Sequence, residues 1–263
     1  MPDPVVILGL GFTTQHLARR LRQRGVPVFA VVRRPARFAA FETLGVRFDA
    51  TPRDAVLVHS VPPLDEPEKS AMRALIQETA PRRIVYISST GVYGAQVQVS
   101  ASTQPAPNDD KGRARIDEEH WVTNGPWSSV ILRSAAIYGP GRGIHVRLRE
   151  GKQPRGVGGV VSRIHVDDLA ALLDAGIEST IEGAWPVADD CPAPSEEVAA
   201  WCARLMGLAL SDVTAPDFPV SGRSVDGSAI RGVLGVELKY HSYETGVPAC
   251  LRDERYYERS MSE

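Results

Sequence analysis

The chain has 263 residues, 43% of them hydrophobic, and its 30 basic and 32 acidic side chains give a formal net charge of −2 at pH 7. This length supports one large α/β domain with a buried core, with or without a small lobe. The charge balance argues against a general nucleic-acid-binding surface, and the apolar runs are far shorter than the ~20 residues that span a bilayer.

We therefore expect a protein that binds a small molecule, has no nucleic-acid or membrane partner, and is a monomer or homodimer. The first residues show no signal-peptide pattern, so a cytoplasmic location is expected. The three cysteines, Cys191, Cys202 and Cys250, are odd in number and widely spaced. They fit neither a disulfide framework nor a zinc site, so we expect inert thiols and no metal.

The first predicted βα unit is residues 5–21, which read V-V-I-L-G-L-G-F-T-T-Q-H-L-A-R-R-L. An apolar run interrupted by Gly9 and Gly11 passes into helical spacing, which predicts a strand, a tight turn and a helix. The first N–H groups of a helix have no partner within it, and the helix dipole favours an anion there. Such a turn suits a phosphate, as in dinucleotide-binding folds.

The match to the dinucleotide motif G-x-G-x-x-G is incomplete, because Thr14 holds the position of the third glycine. That glycine normally lets the helix pack closely on the strand. Taken alone, the turn also fits an ordinary glycine-containing βα connection. We expect Thr14 either to loosen the helix–strand contact or to offer its hydroxyl to a pyrophosphate. The predicted cofactor contacts of this turn are Gly9, Gly11, Phe12, Thr13 and Thr14.

A second apolar strand, residues 26–32, is followed directly by Arg33 and Arg34, with no acidic residue at that place. In a dinucleotide-binding fold this strand end meets the adenosine ribose, where an acid accepts from the 2′-hydroxyl and arginine suits a 2′-phosphate. The pair therefore favours NADP over NAD. The alternative is a solvated basic start of the next helix.

Short strands and helices then alternate, which predicts a Rossmann-type, doubly wound parallel α/β sheet of about seven strands with right-handed crossovers. Strands are expected at residues 46–48, 55–61, 83–88 and 128–133, and helices at 38–44, 66–79 and 111–122. Residues 95–110 are polar and predict a long surface loop. His59 lies inside an apolar strand and is expected to be a hydrogen-bonded core residue. Ser60, Val61 and Pro62 end that strand beside the expected cofactor.

The C-terminal third differs in its sequence pattern from the alternating strands and helices before it, and this pattern predicts a small substrate-binding lobe. It begins with a glycine turn at 139–143 and a flexible glycine-rich segment at 151–159. A helix at 163–173, a strand at 185–187, a helix from Ser195 and a short helix at 228–234 are expected to follow. The tail after Tyr243 is expected to cover the sheet edge or to fray. We expect residues 1–170 to form the dinucleotide-binding domain. Residues 171–263 then supply the last strand and the lobe, which also takes in 139–162.

Four ordered stretches carry a resemblance to a known family: residues 87–94 (I-S-S-T-G-V-Y-G), 132–142 (L-R-S-A-A-I-Y-G-P-G-R), 163–170 (R-I-H-V-D-D-L-A) and 234–243 followed by Gly246. The chain resembles the extended short-chain dehydrogenases/reductases, of the NAD-dependent epimerase/dehydratase type. The resemblance implies a nicotinamide cofactor held by a Rossmann domain.

Enzymes of this family use a Ser or Thr together with Tyr and Lys in a Y-x-x-x-K motif on one helix. The resemblance places Ser89 at the hydroxyl position, Lys111 at the tyrosine position and Arg115 at the lysine position, and no tyrosine lies between Tyr93 and Tyr138. Arginine can hold the cofactor ribose but cannot act as a titrating base. Lys111 could transfer a proton only if burial and the charge of Arg115 disfavoured its ammonium form. The alternative for Lys111 is a surface residue.

The resemblance also implies cofactor contacts from Ser88, Arg115 and Ile137, and substrate contacts from Tyr93, Tyr138, Arg142, Arg163 and His165. Structural roles remain open for Tyr93 and His165, and ordinary surface roles for the two arginines. The leading hypothesis is an NADP-binding, atypical member of the family that acts as an oxidoreductase or epimerase on a carbonyl or carbinol of a small or nucleotide-sugar-like substrate. The alternative is a catalytically degenerate NAD(P)-binding sensor or complex subunit.

Overall fold

The computed structural model describes residues 2–154, 158–209 and 222–260, with side chains as far as Glu254. Within these ranges no helix has the length and apolarity needed to cross a bilayer. The helices are α1 (Phe12–Gln23), α2 (Ala39–Thr43), α3 (Glu68–Thr79), α4 (Asp110–Thr123), α5 (Ile144–Arg149), α6 (Val166–Glu178), α7 (Ser195–Met206), α8 (Ser228–Leu234) and α9 (Tyr243–Ser260).

The strands of the described ranges form one large sheet and three small pairs. They are β1 (Val5–Leu8), β2 (Val28–Val31), β3 (Val46–Arg47), β4 (Val56–His59), β5 (Arg83–Ser89), β6 (Gln98–Val99), β7 (Ser128–Ser134), β8 (Ala136–Tyr138), β9 (Val160–Val161), β10 (Arg163–His165), β11 (Gly183–Val187), β12 (Ala193–Pro194) and β13 (Ser224–Val225). Short 3₁₀ turns at Pro35–Phe38 and Thr90–Tyr93 follow β2 and β5.

The large sheet confirms the predicted seven-stranded parallel architecture. Its order is β3-β2-β1-β4-β5-β7-β11, and every neighbouring pair is parallel. Val5 of β1 pairs with Val28 of β2 on one side and with Val56 of β4 on the other. The strand order reverses between these neighbours, and ligands of open α/β sheets bind at the carboxyl edge beside such a switch point.

Both faces of the sheet are covered, which explains why the first strand is apolar without alternation. Val5 and Ile7 pack in one buried cluster with side chains of α1 and α6, whereas Val6 and Leu8 pack in a second cluster with side chains of α3 and α4. Full burial of such a side chain stabilises the fold by about 1.5–3 kcal/mol. The packing of the core therefore fixes the position of the carboxyl end of β1 within the sheet.

The lobe is built around a third buried cluster in which Tyr138, Val198, Val247 and Cys250 meet. β8 pairs with β10 in parallel, and β9 pairs with β12 in antiparallel fashion. The predicted tail after Tyr243 is in fact α9, and it packs on this cluster instead of the sheet edge. β8 follows β7 directly in the chain, and the N–H of Asp189, just after β11, donates to the carbonyl of Arg163 in β10. The division into domains at residue 170 stays a prediction, and α6 continues through that position.

Two local predictions need correction. Residues 163–165 are strand β10, not the start of a helix, because they pair with Ala136–Tyr138; α6 begins at Val166 after the N-cap residue His165. The expected loop at 95–110 contains the short strand β6, which pairs with β13. Within the predicted flexible segment 151–159, residues 155–157 lie outside the described residues.

Candidate active site

The turn between β1 and α1, residues 9–14, is called the nucleotide turn below. Gly9 has φ +88°, a conformation that side chains other than glycine rarely adopt. A Cβ on Gly9 would lie 3.1 Å from Ser60 Oγ and 3.1 Å from Val61 Cγ2, whereas a Cβ on Gly11 would meet nothing within 4 Å. Gly9 is therefore required by the fold, and Gly11 leaves open space in front of the helix N-terminus, where a phosphate can approach the backbone.

Thr14 has a role that differs from both sequence-based expectations. Its hydroxyl donates to the carbonyl of Gly9 over 2.7 Å and accepts from the N–H of Gly11 over 2.9 Å, and the side chain is buried. The hydroxyl therefore closes the turn and does not point to a pyrophosphate. Phe12 and Thr13 are the first two residues of α1, and their N–H groups have no partner inside the helix.

The loop after β4 packs against the nucleotide turn. Ser60 Oγ donates to the carbonyl of Gly9 over 2.7 Å, the N–H of Val61 donates to Nδ1 of His59 over 3.3 Å, and Pro62 is exposed. His59 Nε2 faces Oε1 of Glu118 at 3.2 Å, and burial lowers the pKa of the imidazole. A neutral ring that accepts at Nδ1 carries its proton on Nε2, so His59 is the expected bonded core residue and also holds this loop.

Arg33 and Arg34 lie at the carboxyl end of β2, the neighbour of β1 in the sheet. Both side chains are exposed, and Arg33 Nη1 is 3.6 Å from Oε1 of Glu68. An ion pair this exposed contributes about 0–1 kcal/mol, so it does not hold the guanidinium away from a ligand. The placement is compatible with binding of a 2′-phosphate and with a solvated basic turn.

The predicted catalytic positions lie at the ends of β5 and α4. Ser89 ends β5, and its Oγ accepts from the N–H of Gly91 over 3.1 Å. Arg115 Nη1 donates to Oη of Tyr86 over 3.0 Å and to the carbonyl of Ile87 over 3.2 Å. Lys111 is exposed in the first turn of α4. The structure thus brings Arg115 to the carboxyl end of β5 but leaves Lys111 without the burial that proton transfer would require.

Ser88 and Tyr93 belong to a buried network beneath α4, which differs from their expected ligand contacts. Ser88 Oγ donates to Oε1 of Glu119 over 2.5 Å, and Arg133 Nη2 donates to Oε2 of the same carboxylate over 2.7 Å. Arg133 Nη1 also donates to Oη of Tyr93 over 3.3 Å. A buried carboxylate is tolerated only when donors surround it, and these side chains supply them.

A cavity of about 420 Å³ lies where β8, α5, α7 and α9 meet. Of the predicted residues, Ile137, Tyr138, Arg142 and Arg163 line it. The Cζ of Arg142 lies 5.2 Å from the centroid of the Phe12 ring, so the cavity adjoins the nucleotide turn. We call this space the arginine cavity. A larger cavity of about 790 Å³ lies between α1 and α6, away from the carboxyl edge.

His165 is not among the residues that line the arginine cavity. Its Nδ1 accepts from the N–H of Asp167 over 3.2 Å, its Nε2 lies 3.4 Å from Sγ of Cys250, and its ring contacts Tyr240. Burial lowers the pKa of His165 to about 4. Asp168 accepts from the N–H groups of Lys239 and Tyr240. His165 and Asp168 therefore hold Lys239, Tyr240 and Cys250 close to the start of α6. These contacts fit the structural role that the sequence left open for His165.

The chain matches no family model. It is 32% identical over 248 residues to Protein YeeZ of Escherichia coli K12, with 87% of this chain and 85% of that protein covered. It is 28% identical over 248 residues to a 3-diazoavenalumate denitrifying reductase of a Streptomyces species, covering 77% of this chain and 81% of the relative.

Solved structures extend this similarity to the fold. A functionally unknown conserved protein from Silicibacter pomeroyi superposes with TM-score 0.81 at 30% identity, covering 95% of this chain and 99% of that one. A dTDP-glucose 4,6-dehydratase from Bacillus anthracis, in complex with NAD, gives TM-score 0.76 at 15% identity over 98% and 97% of the chains. A UDP-glucose 4-epimerase from Thermotoga maritima, with UDP-glucose, gives 0.76 at 16% over 98% and 99%.

This chain belongs to the same family as Protein YeeZ, and it shares its fold with NAD-dependent enzymes of the epimerase/dehydratase type. The chain departs from the resemblance at one point: Lys111 and Arg115 stand on α4 where the resemblance expects Tyr and Lys. Residues i and i+4 share a helix face, so both lie on the same side of α4. Arg115 hydrogen-bonds to Tyr86 and to the carbonyl of Ile87 in β5, whereas Lys111 is exposed.

Sequence reasoning missed several residues of the arginine cavity. His145, Arg147, Ser195 and Tyr243 line it, and they come from α5, α7 and α9. His145 Nε2 lies 3.1 Å from Oε1 of Glu254. No local sequence pattern marks these residues as cavity-lining. For His145 and Arg147 the reason is that α5 is one short helix after a glycine turn. Glu118 and Glu119 were also missed. Their signal was available: α4 has few apolar residues, so polar side chains must face the sheet.

Proposed function

We propose that the carboxyl edge of the sheet binds NADP(H) and that the chain is an oxidoreductase or epimerase acting on a carbonyl or carbinol. The residues at this edge fit the cofactor. Gly11, Phe12 and Thr13 would receive the pyrophosphate, since a Cβ on Gly11 meets open space and the helix N-terminus faces it. Arg33 and Arg34 would take the 2′-phosphate through charge-assisted hydrogen bonds.

The nicotinamide end would lie between Arg115 and Ile137. Arg115 reaches the carbonyl of Ile87 at the end of β5, and Ile137 lines the arginine cavity. Ser60, Val61 and Pro62 would flank the cofactor from the β4 loop, where Ser60 is already bonded to Gly9. A bound nicotinamide supplies or accepts a hydride, and the substrate would occupy the cavity beside it.

The observation that carries the proposal is the contact between Arg142 and Phe12. It joins the nucleotide turn to a cavity of about 420 Å³, which is within the size range of small-molecule sites. Two comparisons support redox chemistry. The Streptomyces relative is named a reductase, and the Bacillus anthracis dehydratase of the same fold was solved with NAD.

A second function, an NAD(P)-binding sensor or complex subunit, is favoured by one observation. Lys111 is exposed and no tyrosine lies between Tyr93 and Tyr138, so the expected proton-transfer pair is missing. Ser89 remains at the end of β5 and offers a hydroxyl to a substrate oxygen. We favour the enzyme because the arginine cavity provides a place for a second ligand beside the cofactor.

Isothermal titration of the full chain with NADP⁺ and NAD⁺ tests the cofactor. NADP⁺ should bind at least about tenfold more tightly, and the double variant Arg33→Ser/Arg34→Ser should erase that preference, because each charge-assisted hydrogen bond is worth about 1.5–3 kcal/mol. Arg204→Ser, an exposed arginine on α7, is the matched control. Equal binding of both cofactors, or none, contradicts the NADP proposal.

Oxidation of NADPH, followed at 340 nm with a panel of small keto compounds and nucleotide sugars, tests the reaction. Turnover that falls at least about tenfold in Ser89→Ala supports the enzyme, since a hydroxyl that stabilises a reacting oxygen contributes on that scale. NADPH binding without turnover on any compound, together with unchanged binding in Ser89→Ala, supports the sensor.

A further inference from the structure

Arg163 is a buried cation at the wall of the arginine cavity. The residue is 5% exposed. Its guanidinium donates to the carbonyl of Val161 over 2.7 Å, to the carbonyl of Ala193 over 2.9 Å and to Oγ of Ser195 over 2.9 Å. All three acceptors are neutral. In the described ranges no carboxylate oxygen lies within 4.0 Å of this guanidinium. A buried charge without a counter-ion is costly, so a partner from outside the chain would stabilise it.

The buried acid that attracts Arg163 is Asp189, and it forms no hydrogen bond with the guanidinium. Asp189 is 2% exposed, its Oδ1 accepts from the N–H of Cys191 over 3.2 Å, and its Oδ2 has no hydrogen-bond partner. Burial raises the pKa of Asp189 to about 7, so a large share of this carboxyl group is neutral near neutral pH. Asp189 and Arg163 attract each other, but no hydrogen bond or close ion pair joins them in the described residues, so the guanidinium has no bonded carboxylate.

Two further arginines line the same cavity. Arg142 is exposed and lies over the Phe12 ring, and Arg147 Nε donates to the carbonyl of Gln153 over 2.8 Å. The acid at the cavity wall, Glu150, is bonded to Lys152 Nζ at 2.9 Å. Burial lowers the pKa of His145, which keeps that ring neutral near neutral pH. The balance of charge facing a ligand is thus positive.

Most of the remaining wall is apolar. Ile137, Ile144, Val161, Val198 and Val247 line the cavity together with the rings of two tyrosines. Tyr138 Oη donates to the carbonyl of Ser242 over 3.1 Å and Tyr243 Oη donates to Glu197 over 2.9 Å, so both hydroxyls are engaged within the protein. A ligand that fills this space needs an apolar body and one anionic group near the arginines.

We propose that the arginine cavity takes a small carboxylate with an apolar body, whose anionic group is bound by Arg142 and Arg163. The inference names the substrate class of the function proposed above and rests on it for the reaction. Arg142 lies between Phe12 of the nucleotide turn and the cavity, so it orients the acid with its apolar body toward α7 and α9. A planar guanidinium suits a carboxylate because it can donate two parallel hydrogen bonds.

Matched acids and amides test this class. The full chain, with and without saturating NADP⁺, is titrated with cinnamate, hexanoate and their primary amides, and with UDP as a nucleotide probe. The amide keeps the shape of the acid and removes its charge. We expect at least one carboxylate to bind at least tenfold more tightly than its amide, and Arg142→Gln to remove that difference while Arg142→Lys retains part of it.

Arg163 is tested with Arg163→Lys and Arg163→Gln, each checked by circular dichroism, because a buried arginine also holds β9 and β12. Arg204→Gln on α7 is the control and should bind all probes like the parent. Equal binding of acid and amide, no carboxylate binding, or tight arginine-dependent binding of UDP overturns the carboxylate class. Loss of NADP⁺ binding with carboxylate binding intact would instead remove the proposed function and leave the anion site standing.

Discussion

Around the nucleotide turn the polar side chains are bonded to the turn's own backbone, whereas at the wall of the arginine cavity Arg147 and Arg163 donate to neutral acceptors within the described residues. Thr14 and Ser60 both donate to the carbonyl of Gly9, and Arg163 donates to two carbonyls and a hydroxyl. The first region is shaped before any ligand arrives. In the second region Arg163 has no bonded carboxylate among the described residues. Under the proposed function, the fold itself would build the cofactor half, while the substrate would complete the other half.

The largest expected effect tests whether internal pairing holds the cofactor half. Glu119→Ala would leave Arg133, which is 8% exposed, without its carboxylate. Removing one partner of a buried ion pair costs about 3–5 kcal/mol. Urea unfolding should show this loss, with Asp117→Ala, an exposed acid on the same helix, as the control. Similar stability of the two variants would mean that Glu119 is not a support of α4.

For the substrate half we expect a pH dependence of the stability of the fold, which arises from the buried acid Asp189. Burial raises the pKa of Asp189 from 3.8 to about 7, so the folded chain keeps a proton that the unfolded chain releases between those values. This acid therefore stabilises fully below about pH 4, and its contribution is lost as pH rises toward 7. The loss is at most about 4 kcal/mol, at about 1.4 kcal/mol per pKa unit.

Asp189→Asn removes this titration and retains an oxygen for the N–H of Cys191. The melting temperature of the variant, minus that of the parent, should rise from pH 4 to pH 7 and then stay constant. A change in melting temperature that the amide causes equally at every pH does not alter the rise of this difference with pH. Asp117→Asn should show a flat difference. A flat difference for Asp189→Asn as well would mean that the carboxylate is already paired.

Gly9 and Gly11 separate folding from binding within the nucleotide turn. Gly9→Ala places a side chain at φ +88° and 3.1 Å from Ser60 Oγ, which should cost about 1–2 kcal/mol, or roughly 3–6 °C in melting temperature. Gly11→Ala meets open space, so its stability should change by less than about 0.5 kcal/mol while NADP⁺ binding weakens about tenfold. Equal melting of both variants would contradict the strained turn.

The fold could be predicted from the sequence because its strands are local apolar runs buried on both faces. The β1–α1 turn and α8 were found from glycines and helical spacing alone. The site was predicted in part. Ile137 and Arg142 followed from a family resemblance, but His145 and Arg147 lie on a short helix with no periodic signal. Residues 163–165 looked helical, since their extended form depends on pairing with β8, which is distant in the chain.

The last effect, no larger than that of Gly9→Ala, concerns the departure from the glycine motif at Thr14. Its hydroxyl closes the turn by bonding to both Gly9 and Gly11, so Thr14→Val leaves a carbonyl and an N–H without that partner at unchanged volume. We expect a loss of about 1–2 kcal/mol in stability and weaker NADP⁺ binding, measured by thermal unfolding with and without cofactor. Thr13→Val, at a neighbouring buried position, is the control for the stability measurement alone. Because Thr14→Gly restores the family motif but removes the same hydroxyl, it should also destabilise the turn. If Thr14→Gly instead raises stability, the hydroxyl does not replace the missing glycine, and the turn is held by Ser60 alone.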